Sequence, residues 1–132
     1  MRIKIDTKER FQVITLLEAN LTARMAEELQ EKLLTGLGND KAPDGGFTHL
    51  VLSLTEVQTV EDSAAAILAV LQNQFYEKGH SFVICCMQKE VENQFNKLEL
   101  LELMNITPTE SEAWDILQME EIERELLKDS ES

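Results

Sequence analysis

The chain has 132 residues, 43% hydrophobic and 28% charged, the size of one globular domain with a core of its own. Its net charge of −13 at pH 7 argues against nucleic acid and anionic membranes as partners, because both need basic surface. No apolar run approaches the roughly 20 residues of a membrane-spanning helix, the N-terminus has no signal-peptide pattern, and the only cysteines, Cys85 and Cys86, are adjacent and make no disulfide framework. Free thiols in an apolar run fit a reducing, cytoplasmic location.

In chain order, "MRIKI" puts Met1, Ile3 and Ile5 on one side and Arg2 and Lys4 on the other, the period of a half-buried edge strand. "FQVITLL" (11–17) is its predicted hairpin partner across the polar turn "DTKER". Thr22 is placed to cap a helix running to about Leu37, with Ala26, Leu29, Leu33 and Leu37 on one face and Gly36 and Gly38 near its end. "GNDKAPDGG" (38–46) reads as a surface loop and the most mobile internal segment.

"THLVLSL" (48–54) is almost continuously apolar, so both of its faces are expected to be covered, as in a parallel sheet. A helix follows from about Asp62 to Glu77, with Ala64, Ile67, Leu68, Leu71 and Phe75 at helical spacing and Gly79 as its stop. "SFVICCM" (81–87) reads as a second fully buried strand, 89–98 as a short helix carrying Val91, Phe95 and Leu98, and "ELMNI" (102–106) as a short strand. Thr109 and Glu112 form a capping box for a last helix with Ala113, Ile116 and Leu117 facing inward, and its acidic tail is expected to fray from about 125. The alternation predicts a single α/β domain over 1–132: one layer of mostly parallel sheet, an N-terminal antiparallel edge strand, and about four helices. Val51, Leu52, Leu54, Leu68, Leu71, Val83 and Ile84 are its predicted core.

No catalytic constellation is legible. The Gly-x-Gly at 36–38 ends a helix rather than opening one. His49 and His80 each lack a second ligand at metal spacing and read as strand-edge or turn histidines. Cys85 and Cys86 read as two buried strand thiols, the C-terminal glutamates as solvated helix faces, and Trp114 as a core or rim anchor. No catalytic residue, metal or cofactor is assigned. A binding or switch protein is the expectation.

One junction stands apart. In "LTEVQTVEDSAAAILAVL" (54–71) a strand gives way to a helix that opens on Glu61, Asp62 and Ser63. Read as a cap, one of Thr59, Asp62 or Ser63 holds the helix start, and Thr59 with Asp62 approximates a capping box. Read as a switch, Ser63 is an exposed hydroxyl at a helix N-terminus, where a kinase can reach it and free backbone N–H groups tolerate a phosphate. The two readings are compatible.

This junction resembles the STAS family, the anti-sigma factor antagonists and their relatives. The family pattern is an apolar strand, a short apolar link, then Asp-Ser-Ser/Thr-Gly-Leu opening a helix. "LVLSL" matches the strand, Val57 and Val60 the link, Glu61 the Asp, Asp62 the first Ser, Ser63 the phosphoacceptor, Ala64 the Gly and Ala65 the Leu. Gly79, "FVICCM", "VENQF" and "ITPTESEAW" continue the match, and "LTARMAEEL" resembles the start of the family's first helix. An alternative register puts Asp62 on the Asp and Ala64 on the phosphoacceptor. The first keeps both flanking strands in step without an insertion. The chain departs from the pattern at "LEAN" (17–20), which replaces the glycine at the end of the second strand, and at Thr22, Glu61, Asp62 and Ala64.

The resemblance implies a STAS-like fold and a non-enzymatic anti-sigma factor antagonist. Its partner would be an anti-sigma factor serine/threonine kinase that binds the unmodified protein and releases it once Ser63 is phosphorylated. The implied docking corner comprises Thr22, the loop from Thr55 and Glu56 through Thr59, and the helix start Glu61, Asp62, Ser63, Ala64 and Ile67. Two alternatives stand beside this: a STAS scaffold or transport or stress-complex subunit with a lost phosphoswitch, and a small-ligand carrier on an α/β fold. Monomer and weak dimer are both left open.

Overall fold

The antiparallel hairpin of β1 (Ile3–Thr7) and β2 (Phe11–Leu16) runs in register from Ile3 opposite Leu16 to Thr7 opposite Gln12. The computed structural model describes residues 1–8, 11–37 and 48–130; the loop at 38–46, expected to be the most mobile, lies outside them. The chain continues through β3 (Asn20–Leu21), α1 (Ala23–Gly36), β4 (His49–Ser53), β5 (Thr59–Val60), α2 (Asp62–Glu77), β6 (Phe82–Cys85), α3 (Lys89–Lys97), β7 (Ile106–Thr107) and α4 (Glu110–Ser130). The main sheet has the order β1-β2-β4-β6-β7, parallel except for the β1–β2 pair. β3 and β5 form a separate two-residue parallel ladder.

Period-two alternation gives the sheet two covered faces. Ile14, Leu16, Leu50, Leu52, Phe82 and Ile84 point to one face, where α1 and α2 bring Leu29, Leu33, Leu68 and Leu71 onto them. Phe11, Val13, Val51, Val83 and Cys85 point to the other, under Ala113 and Leu117 of α4. All seven predicted core residues are completely buried.

Three local expectations are corrected. Met1 and Ile5 of the edge strand are exposed, and only Ile3 packs on the core, because the helical layer does not extend over the rest of β1. The strand expected over 81–87 ends at Cys85. Cys86 takes a left-handed backbone, φ 64°, and is only partly buried as the chain leaves the sheet, so the two thiols are not equivalent. The strand expected at 102–106 is instead a tight turn over 101–103, with Leu103 N–H donating to Leu100 O, and β7 begins only at Ile106. Apart from these, α4 runs on through 125 to Ser130.

Gln72 compensates for the shortness of β7. Buried on α2, its Nε2 donates to Phe82 O (2.8 Å) and Asn105 O (3.0 Å), and its Oε1 accepts from Asn105 N–H (3.0 Å). One amide thus supplies the polar partners that neighbouring backbone needs inside the core.

Candidate functional site

The β3–β5 ladder pairs Asn20 with Thr59 and Leu21 with Val60. Ala19 O accepts from Gln58 N–H and Thr59 N–H, Leu21 O accepts from Glu61 N–H, and Thr59 Oγ1 donates to Asn20 Oδ1 at 2.5 Å. Leu21, Val57 and Val60 anchor the ladder by pointing into the core. Each strand leads into a helix, so the starts of α1 and α2 are brought side by side. Thr22 caps α1 as expected, its Oγ1 accepting from Met25 N–H at 3.3 Å.

The cap of α2 differs from expectation. The N-cap residue is Glu61, and no side chain of Thr59, Asp62 or Ser63 caps the helix. Thr59 is engaged with Asn20, and Asp62 Oδ1 accepts from Gln94 Nε2 of α3. The Glu61 carboxylate leaves its own helix uncapped and reaches the other one, accepting from Ala23 N–H at 2.7 Å. The first intrahelical bond of α2 runs from Ala65 N–H to Glu61 O, so the N–H groups of Asp62, Ser63 and Ala64 face the helix mouth.

Ser63 is exposed in that first turn. Thr55, Glu56, Thr59, Glu61 and Asp62 are exposed around it, and Thr22 and Ile67 are partly so. The loop at Thr55 is held by Gln88 Nε2, which donates to Thr55 O at 2.9 Å. Ala64 does not belong to this surface: it is completely buried, because the third helical position points under the helix onto the core. Asn20, Gln88 and Gln94 support the corner but carry no local sequence signal, since each acts on a residue more than thirty positions away.

The two histidines, read separately from the sequence, are brought together by the β4–β6 pairing, with ring centroids 6.0 Å apart. His49 Nδ1 accepts from Ser81 N–H at 3.0 Å. Burial, then the nearby Arg124 guanidinium, holds the His49 pKa below its usual value; burial also lowers that of His80. Among the described residues no three His, Cys, Asp or Glu side chains gather as metal ligands. Burial raises the Cys85 thiol pKa, helped by its hydrogen bond with Cys86, so this is not an activated thiolate.

The STAS domain family model matches residues 2–113. The chain belongs to the STAS domain family. Its fold is similar to that of an anti-sigma factor antagonist (STAS) domain protein from Planctomyces limnophilus, with a TM-score of 0.69 and 14% identity over 88% of this chain and 97% of that one. Bacillus SpoIIAA in its phosphorylated form is similar with a TM-score of 0.61 and 16% identity over 86% and 97% of the two chains. The murine anion transporter Slc26a9 contains a similar domain, with a TM-score of 0.64 and 18% identity over 83% of this chain but 18% of the transporter. No curated protein matches this STAS domain in sequence. Among its described residues no helix is long and apolar enough to cross a membrane.

Proposed function

We propose that this STAS domain is a non-enzymatic interaction switch of the anti-sigma factor antagonist kind. It docks an anti-sigma factor kinase through the corner built on Thr22, Thr55–Val60 and Glu61–Ile67, and it is released when Ser63 is phosphorylated. The observation that carries this reading is the position of Ser63: an exposed hydroxyl in the first turn of α2, beside uncapped backbone N–H groups. A phosphate there gains local donors and leaves the core untouched. It also adds about −1.5 to −2 charges next to Glu61 and Asp62, which disfavours an acidic or apolar partner surface. Similarity to SpoIIAA, whose phosphorylated form adopts the same fold, supports the reading.

A scaffold with a lost phosphoswitch is the second reading. It is favoured by Asp62, a carboxylate held by Gln94 where the family pattern has a serine. Incubation with kinase-type anti-sigma factors and ATP, followed by intact-mass and peptide mass spectrometry, separates the two. A phosphate on Ser63 that is absent from Ser63→Ala supports the switch. Complex formation without any modification supports the scaffold.

A further inference from the structure

The second half of α4 carries a feature that the switch does not use. Met119, Ile122 and Leu126 are 60%, 57% and 63% exposed. At about 100° per residue they lie within roughly 60° of one another, on the side of the helix opposite Ala113 and Leu117, which pack on the sheet. Spacings of four-residue and three-residue steps are those of a helix–helix seam. The family match ends at residue 113, so this stripe lies outside the shared segment.

Charge identifies what fits it. Glu123 and Glu125 flank the stripe and Asp115 stands in line with it, while Arg124 and Lys128 lie on the sheet side of the helix. We propose that this outward face of α4 is a second docking surface, and that its partner is an amphipathic helix of another protein whose apolar seam is flanked by Lys and Arg. A second copy of this chain is a poor occupant, since its own α4 would set Glu123 and Glu125 against the same residues. A lipid surface is a poor one too, because interfacial helices carry basic polar faces. α4 covers the sheet face opposite α2, so this surface and the Ser63 corner can be occupied together.

The test uses the full chain and fluorescent synthetic peptides of about four heptads, read by fluorescence anisotropy. One peptide has Leu and Ile at the seam with Lys flanks, a second has Glu flanks, and a third is a scramble of the Lys peptide. The Lys-flanked peptide is expected to bind saturably, and the other two at least about tenfold more weakly. Combining Ile122→Ser with Leu126→Ser should lower its affinity by at least about tenfold with circular dichroism and thermal melting unchanged. Combining Glu123→Lys with Glu125→Lys should transfer the preference to the Glu-flanked peptide. The proposal is overturned if the scrambled peptide binds equally, if the serine variant binds as well as the parent, or if no peptide binds. Sedimentation showing a dimer of the full chain that the serine variant abolishes would instead assign the face to a second copy, and also overturns it.

Discussion

Glu61 Oε1 accepts a 2.7 Å hydrogen bond from Ala23 N–H, so the residue that begins α2 through its backbone also closes the start of α1 through its side chain. Thr22 serves the same start by accepting from Met25 N–H. Glu61→Ala and Thr22→Ala should each destabilise the fold by about 1 kcal/mol, within the range of other N-terminal cap losses. Because both act on one helix end, the double variant should depart from the sum of the singles. Equilibrium urea denaturation of the three variants measures this, and strict additivity would show that the two groups act independently.

Leu68 is completely buried between α2 and the sheet. Leu68→Ala should cost roughly 2–5 kcal/mol, read as a fall in the urea midpoint at constant slope.

Gln72 is the sharper test of the polar core. Gln72→Leu keeps the volume but strips partners from Phe82 O, Asn105 O and Asn105 N–H. A loss of at least about 2 kcal/mol is expected, with the amides around Asn105 losing hydrogen-exchange protection first. A near-neutral result would mean that water replaces the amide.

His49 should make stability depend on pH. Its pKa is lowered in the folded state, by burial first, then by Arg124 and His80, against the opposing carboxylates of Glu121 and Glu120. The unfolded chain, with a pKa of about 6.5, therefore binds the proton more readily. The contribution is fully present above about pH 6.5 and is lost as pH falls through that value toward the folded pKa. Thermal melts at pH 7.5 and 5.5 should show lower stability at the acid end, and His49→Gln should reduce the difference, leaving the share contributed by His80, whose pKa burial also lowers.

For the proposed switch, Ser63→Asp should weaken partner binding by at least about tenfold while stability stays within about 1 kcal/mol of the parent. Ser63→Ala should bind the kinase partner and fail to release it in ATP. Calorimetry for binding and urea denaturation for stability read the two effects separately.

The layers were legible because burial leaves a mark on composition. Continuous apolar runs at 49–54 and 82–85 announce strands covered on both sides, and the four-and-three spacing from Ala64 to Phe75 announces the helix that covers one of them. Thr22 was legible as a cap because its partner is three residues away. What escaped was long-range or conformational. The bond from Glu61 to α1 spans 38 positions and depends on a two-residue ladder too short to show a period. Gln72 escaped for a like reason, since its partners lie on β6 and in the loop before β7. Cys86 has an apolar neighbourhood in sequence, yet its left-handed backbone takes it out of the strand. In α4 the dense glutamates concealed three aliphatic residues on one face.

The convergence of two helix starts on Glu61 also shapes the electric field of the corner. Each start presents the positive end of a helix macrodipole, roughly half an elementary charge. Together they offset about one of the two carboxylates at Glu61 and Asp62, leaving a net of roughly −1 in a protein whose total is −13. A phosphate at Ser63 would take that spot to about −3. The modification would change the total charge by a small fraction and the local charge about threefold, so a docking partner would sense an addition that a bulk titration of the protein would scarcely register.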